Sequence, residues 1–156
     1  MRALTVALVL SSSLPSSAAD VALNVGVLEV VTLPPPAHGG FYPSLGVSVA
    51  FPLGPVTLIP SLALEWSFDQ GRGGLVLGAV VDFPLSEHLG FDVNLSLTHD
   101  QPGLHFAESA LFLGAGPGVS IFLGKWTISP YVGFFASLLS PGLSIGPGVN
   151  VAWTFT

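Results

Sequence analysis

Residues 55–69 read PVTLIPSLALEWSFD, and this stretch alternates with a period of two. Alternation of large apolar with small or polar residues is the pattern of a β-strand with two different faces. The first set is Val56, Leu58, Pro60, Leu62, Leu64, Trp66 and Phe68, and the second is Thr57, Ile59, Ser61, Ala63, Glu65, Ser67 and Asp69.

The same period recurs along the chain and predicts eight strands. Each segment has at least 11 residues, whereas a strand of a globular protein has about five or six and a tilted transmembrane strand about 9–11. The length therefore favours a bilayer over a soluble sandwich. The predicted strands are roughly 21–32, 41–53, 55–68, 74–84, 88–98, 109–123, 126–138 and 143–155.

The connections between these segments alternate in length. PLGP, PLSEH and LGK are short, whereas LPPPAHGG, DQGRGG, HDQPGLHFAE and LSPGL are longer or more polar. Short periplasmic turns and larger outer loops are typical of outer-membrane barrels, in which eight is the smallest strand number. The sequence therefore predicts an all-β fold, a closed antiparallel up-and-down transmembrane β-barrel of eight strands.

Composition excludes several other classes of protein. Only 8% of the 156 residues are charged, against about 25% in an ordinary soluble domain. The 19 glycines and 14 prolines disfavour helices, since both residues break helix interiors. The absence of cysteine excludes disulfides and thiolate metal sites, and three Lys and Arg residues are too few for a nucleic-acid footprint.

Residues 1–19, MRALTVALVLSSSLPSSAA, have the organisation of a secretory signal peptide. Arg2 is followed by a short apolar run and by the small residues that precede a cleavage site. The apolar run is too short for a bilayer-spanning helix, which needs roughly 20 residues. We expect cleavage before Asp20, which leaves residues 20–156 as one barrel domain.

The small and polar face lacks the Lys and Glu that coat soluble proteins, so we expect it to line a narrow lumen while the apolar face meets lipid. A secreted soluble β-sandwich is the alternative. The outward aromatic residues then fall at the two ends of the aliphatic band, where interfacial girdles belong. The predicted girdle residues are Phe51, Phe83, Phe91, Trp126, Trp153 and Phe155 at the turn end and Phe41, Trp66 and Phe68 at the loop end.

Three stretches carry a family resemblance. The end VAWTFT resembles the terminal strand of outer-membrane barrels, although Thr156 follows the closing Phe155. SPYVGFFASL and IPSLALEWSF are similar to strands of small OmpA/OmpX/OmpW-type barrels. The resemblance implies an outer-membrane protein of a Gram-negative bacterium that is folded by the barrel-assembly machinery.

A Pro-x-[Leu/Val]-small unit repeats inside the predicted strands. Proline cannot donate to a strand ladder. Either the prolines mark bulges and bends that curve a tight barrel, or they mark strand starts and the predicted strands are too long. The repeat falls at Pro43, Pro60, Pro117, Pro130 and Pro147.

Eight-stranded barrels are just wide enough for side chains to fill the interior, so we expect a plugged lumen rather than a porin channel. Asp82 and Asp92 should face each other across the ladder and could recruit a cation such as Ca²⁺. Neither Arg72 nor Lys125 is predicted on an inward strand position, so we expect no basic partner in the lumen for the inward acids. The residues predicted to face the lumen are Glu65, Asp82, Asp92, Asn94, Tyr131 and Asn150.

One acidic residue does not fit the predicted faces of the barrel. Glu29 falls on the lipid-facing parity, near the outer boundary unless a bulge flips the register.

Some eight-stranded barrels are lipid-remodelling hydrolases with a His-Ser-acid triad. His99 and Asp100, and also His105 with Glu108 and Ser109, lie in or beside one predicted outer loop. No His-x-Ser spacing on a strand matches such an enzyme, so no catalytic residues and no cofactor are predicted.

The sequence predicts a non-enzymatic outer-membrane protein that contributes envelope structure or presents its loops to a partner. We expect a monomer in contact with membrane lipid and lipopolysaccharide. The alternative function is a conduit or carrier for small apolar molecules that leave through the barrel wall. Loops 33–40 and 99–108 would be displayed, with candidate contacts at Pro34, Pro35, Pro36, His38, His99, Asp100, His105 and Phe106.

Overall fold

The computed structural model describes residues 19–33, 39–68, 71–102, 110–139 and 142–155. Within these ranges the chain forms eight antiparallel strands that close into one barrel in chain order, which confirms the predicted fold class. No helix of the described ranges is long and apolar enough to cross a membrane. The strands are β1 (Asp20–Leu33), β2 (Gly39–Leu53), β3 (Val56–Ser67), β4 (Arg72–Pro84), β5 (Leu89–Pro102), β6 (Ala110–Leu123), β7 (Trp126–Ser137) and β8 (Leu143–Phe155).

The stagger of the strands follows from the register. Strand pairing traced once around the wall from Leu23 returns to β1 at Leu33, ten residues further along. A stagger of this size requires strands tilted by about 40° to the barrel axis. The row contains Leu23, Val47, Leu62, Leu77, Leu97, Leu113, Ala136, Leu143 and Leu33.

Three tight turns join β2 to β3, β4 to β5 and β6 to β7, as the short connections predict. Gly54 and Gly124 have φ of 68° and 66°, a left-handed conformation that favours glycine. The barrel therefore has one end of short turns, which also holds the start of β1 and the end of β8. We call this the turn end and the opposite one the loop end.

Three strands, β2, β4 and β5, extend at least two residues further than the sequence predicts. β4 begins at Arg72 rather than at residue 74, and β5 continues to Pro102 rather than ending at residue 98. The prediction that His99 and Asp100 belong to a displayed loop is therefore wrong. β5 continues because Asp100 pairs with Gly74 on one side and with Ala110 on the other. Gly39 and Gly40 likewise belong to β2. Residues 34–38 and 103–109 lie outside the described part of the chain.

All five repeated prolines lie within strands, so the prediction that they mark strand starts is wrong. Each proline pairs with only one neighbouring strand. Pro60 pairs with Ala79, but β2–β3 pairing stops at Ser48–Ser61 and resumes at Phe51–Leu58.

The other prolines follow the same rule. Pro117 and Pro130 interrupt β6–β7, Pro147 interrupts β1–β8, and Pro43 lies where β2–β3 pairing begins. The register is the same on both sides of each internal gap, so no residue is inserted and the predicted bulges are wrong. A missing N–H removes ladder bonds without shifting the faces.

Candidate functional site in the barrel lumen

The inward side chains enclose a cavity of about 550 Å³ that all eight strands line. Inward and outward positions alternate along each strand, because successive side chains of a strand point to opposite faces. The cavity lining includes all six side chains that the sequence predicts to face the lumen, Glu65, Asp82, Asp92, Asn94, Tyr131 and Asn150.

Large and small inward residues are segregated around the wall. Of the aromatic rings in the described lining, Tyr42 belongs to β2. The others, Phe122, Tyr131 and Phe135, belong to β6 and β7. Glycines on neighbouring strands make room for these rings. Tyr131 covers Gly148 and Phe135 covers Gly114, so a Cβ at either glycine would overlap a ring. Among the described residues, seven of the ten Gly and Ala residues in the lining belong to β1 to β4, so this part of the wall leaves space beside the rings.

On β3 and β5 the cavity ends below a layer of packed side chains at the loop end. Glu65 and Thr98 line the cavity, but Ser67 and Asp100, the next inward residues on the same strands, do not. Ser67 is fully buried and Asp100 is 6% exposed. Arg72 Nε lies 2.9 Å from Asp100 Oδ2.

This ion pair corrects the prediction that Arg72 does not lie on an inward strand position. Arg72 is the first residue of β4 and shares the inward parity of Asp82. The sequence Gln70-Gly71-Arg72-Gly73-Gly74 has the composition of a turn, and the strand begins inside it.

Two carboxylates face each other near the turn end. Asp82 and Asp92 are direct cross-strand partners, as the sequence predicts, and they are 4% and 1% exposed. Gly90 leaves the space that the Asp82 carboxylate occupies. Ser120 Oγ donates a hydrogen bond of 2.8 Å to Asp92 Oδ2.

Each carboxylate keeps one buried oxygen without a hydrogen-bond partner, Oδ1 in both cases. Between this pair and Glu65 the lining is neutral and polar, with Asn24, Asn94 and Asn150 on three strands. The Nδ2 atom of Asn94 is also buried without a partner. Two acceptors and one donor in the wall of the lumen are therefore buried without a hydrogen-bond partner.

No group of three or more His, Asp or Glu residues in the described part of the chain is arranged to hold a metal ion. The predicted cation site at Asp82 and Asp92 therefore has two carboxylates, whereas Ca²⁺ takes six to eight oxygen ligands.

The predicted girdle residues lie on the outer surface. Most are exposed, from 36% for Trp153 to 78% for Phe68, and Phe51 is half-buried. Trp153 packs against Trp126 and Phe155, with ring centroids 6.2 and 4.4 Å away. Glu29 is exposed opposite Phe41, and the continuous β1–β2 register excludes the bulge that would turn it inward.

The histidines that raised an enzymatic alternative do not form a site within the described residues. His99 and Asp100 are consecutive in β5, so their side chains point to opposite sides of the wall. His105, Glu108 and Ser109 lie outside the described residues.

No protein-family model matches this chain, and no curated protein sequence matches it significantly. The fold does match solved structures. The crystal structure of Neisserial surface protein A (NspA) superposes with a TM-score of 0.62 at 14% identity, covering 89% of this chain and 100% of that one. The fold is that of the small eight-stranded transmembrane barrels.

Two further structures support this assignment of the fold. The N-terminal barrel domain of Pseudomonas aeruginosa OprF matches with a TM-score of 0.55 at 14% identity, covering 85% of this chain and 97% of that chain. A de novo designed transmembrane β-barrel matches with a TM-score of 0.56 at 14% identity, covering 86% of this chain and 95% of that chain. Because a designed barrel matches as well as a natural one, the architecture alone specifies no activity.

Proposed function

We propose that this chain is a non-enzymatic integral protein of the Gram-negative outer membrane. Its barrel would act as an anchor that contributes to envelope structure and presents the outer loops. The outward surface supports this proposal. Among the outward strand positions of the described chain, Glu29 is the only Asp, Glu, Lys or Arg residue. A soluble barrel would not expose such a surface to water.

The proposal extends to the export of the protein and to its partners. We propose that residues 1–19 direct export and are cleaved before Asp20, the residue at which β1 begins. The mature protein would then be folded by the barrel-assembly machinery as a monomer in contact with lipid and lipopolysaccharide. The loops that include residues 34–38 and 103–109 would be the parts displayed to a partner.

We further propose that the lumen carries no continuous water channel. The packed layer of Ser67, Asp100 and Arg72 at the loop end supports this. A lipid A deacylation assay tests the enzymatic alternative. Deacylated product that disappears in His105→Ala would contradict the non-enzymatic assignment.

The decisive experiment compares gel mobility and conductance. The chain, refolded in detergent, should migrate differently before and after boiling, because a closed barrel resists the detergent. The same preparation in planar bilayers should show no steady conductance. Solubility without detergent, together with unchanged mobility, would refute the membrane anchor. A stable conductance would refute only the closed lumen.

A second candidate function, a conduit for small apolar molecules through the barrel wall, is favoured by the ladder gaps. β6 and β7 lack pairing at Gly116–Gly133, Pro117–Val132, Val119–Pro130 and Ser120–Ser129. An apolar fluorescent probe should then reach the lumen from the bilayer. Pro117→Val, which restores an N–H, should slow that uptake, and the control Pro52→Val should not, because Pro52 is paired with Thr57. Equal uptake by both variants and the parent would exclude this candidate.

A further inference from the structure

The lumen cavity has an excess of carboxylates. Among the described residues, four acids line it, Asp20, Glu65, Asp82 and Asp92, and Lys125 is the only Lys or Arg in the lining. Lys125 lies in an exposed turn, and Arg72 pairs with Asp100 outside the cavity. The buried acids therefore have no basic side chain beside them within the cavity. A bound cation would supply the missing charge.

The size and lining of the cavity favour an organic cation over a metal ion. Its volume of about 550 Å³ falls in the range of small-molecule sites, and Asp82 and Asp92 offer too few ligands for Ca²⁺. Phe122, Tyr131 and Phe135 contribute aromatic rings, whose faces attract cations. The unpartnered Oδ1 atoms of Asp82 and Asp92 could accept hydrogen bonds from a primary ammonium group.

The lining of the cavity reaches exposed residues at the turn end. At the turn end its lining includes the exposed residues Asp20, Gly124 and Lys125, whereas at the loop end it stops below Ser67 and Asp100. A ligand would enter from the turn end. In the proposed orientation this end faces the periplasm.

We infer that the lumen is a binding site for small primary-ammonium compounds that enter from the turn end, with the ammonium group held by Asp82 and Asp92. The rest of the ligand lies along the Asn24, Asn94 and Asn150 layer beside the ring of Tyr131. This site is additional to the anchoring role and compatible with a lumen closed at the loop end.

Calorimetry on the refolded barrel tests the site with butane-1,4-diamine as the probe. Butane-1,4-diol, which has the same chain length without the charge, serves as the ligand control. We expect saturable binding of the diamine and none of the diol. Asp82→Asn combined with Asp92→Asn should weaken diamine binding at least tenfold, whereas Glu87→Gln should not change it, because Glu87 is an exposed turn residue outside the cavity.

A second variant separates the cavity from the overall negative charge of the barrel. Ala63 lines the cavity on β3, and Ala63→Phe should block diamine binding without changing any charge. The heat-dependent mobility shift must persist in each variant, so that a loss of binding is not a loss of fold.

Besides the absence of diamine binding, three results would overturn the inference. The first is equal binding of the diamine and the diol. The second is diamine binding that is unchanged in the Asp82→Asn/Asp92→Asn double variant and also in Ala63→Phe. The third is complete displacement of the diamine by stoichiometric Ca²⁺. The last result would identify a metal site instead. A barrel that shows the mobility shift but binds no diamine would refute this site and leave the anchoring proposal intact.

Discussion

Ser120 and Ser129 face each other across β6 and β7 at a point where the two strands have no backbone pairing, and their hydroxyl oxygens lie 3.1 Å apart. Ser120 also donates to Asp92 on β5. Side chains therefore join three strands beside the gap that Pro117 and Pro130 create. We interpret the Asp92–Ser120–Ser129 chain as a replacement for the backbone bonds that the prolines remove.

Ser120→Ala should therefore destabilise the barrel more than an ordinary inward Ser→Ala substitution. It leaves Asp92, which is 1% exposed, with no hydroxyl donor, and an orphaned buried acceptor costs about 1–3 kcal/mol. Urea unfolding of the barrel in lipid vesicles measures the loss. Ser96→Ala is the matched control, because the Ser96 hydroxyl lies over Gly114 and Ser96 is paired without interruption on both sides. Equal losses in both variants would contradict the bridging role.

Gly116→Ala should be among the most damaging single-methyl additions to this barrel. A Cβ at Gly116 would overlap the backbone carbonyl of Val132, where the unpaired strands approach closely. Backbone cannot rotate away as a flexible side chain does, so we expect a loss of about 1–3 kcal/mol. Gly142→Ala is the control, since no atom lies within 4 Å of the added methyl. A neutral Gly116→Ala would show that the strands separate easily at this seam.

The Arg72–Asp100 ion pair should stabilise the loop end of the barrel. Arg72→Gln leaves the buried Asp100 carboxylate without its cation. Because the Arg72 side chain is 30% exposed, we expect a loss of about 1–2 kcal/mol. Adding Asp100→Asn to Arg72→Gln should recover part of that loss. A double-mutant cycle on the unfolding free energy measures the coupling, and strictly additive losses would mean that the pair contributes nothing.

The sequence was sufficient to predict the number of strands and the direction of each face. Residues 56–67 alternate with Ile59 as the one exception, and a period-two pattern assigns every side chain to one face once a single residue is placed. The short turns also fixed the pairing of Asp82 with Asp92, because a tight turn determines the register of the strands it joins.

The ends of the strands and the gaps within them could not be predicted in the same way. Arg72 and Asp100 are strand residues because they pair with neighbours that are distant in sequence, and a polar residue next to glycines gives no local sign of this. The side on which each proline interrupts the ladder depends on which neighbour its nitrogen faces. That geometry follows from the closed barrel and not from the local pattern.

The packed loop end of the cavity is a tertiary feature for the same reason. Ser67 and Arg72 are cross-strand partners in one hairpin, whereas Asp100 is distant from both in sequence and is brought beside Arg72 only by the pairing of β4 with β5. The acidic lining was visible in the sequence as Glu65, Asp82 and Asp92. The extent of the cavity, which all eight strands line, depends on the positions of the rings on β6 and β7 and could not be read from the sequence.

An arginine in the middle of β3 tests whether the outer surface of the barrel lies in a bilayer. Leu62 lies in the middle of β3, is 40% exposed and pairs with Val47 and Leu77 on either side. Leu62→Arg should cost about 2–4 kcal/mol, because a charge at the midplane of the lipid face is poorly solvated.

Glu29 is the matched position near the loop end, beside Phe41. Glu29→Arg should cost only about 0–1 kcal/mol, because a charge near the interface can reach water. Urea titrations of both variants in vesicles compare the two costs directly, with the mobility shift as a check that each barrel still closes. If Leu62→Arg were no more costly than Glu29→Arg, the depth dependence would be absent, and the apolar face would not be the one that meets lipid.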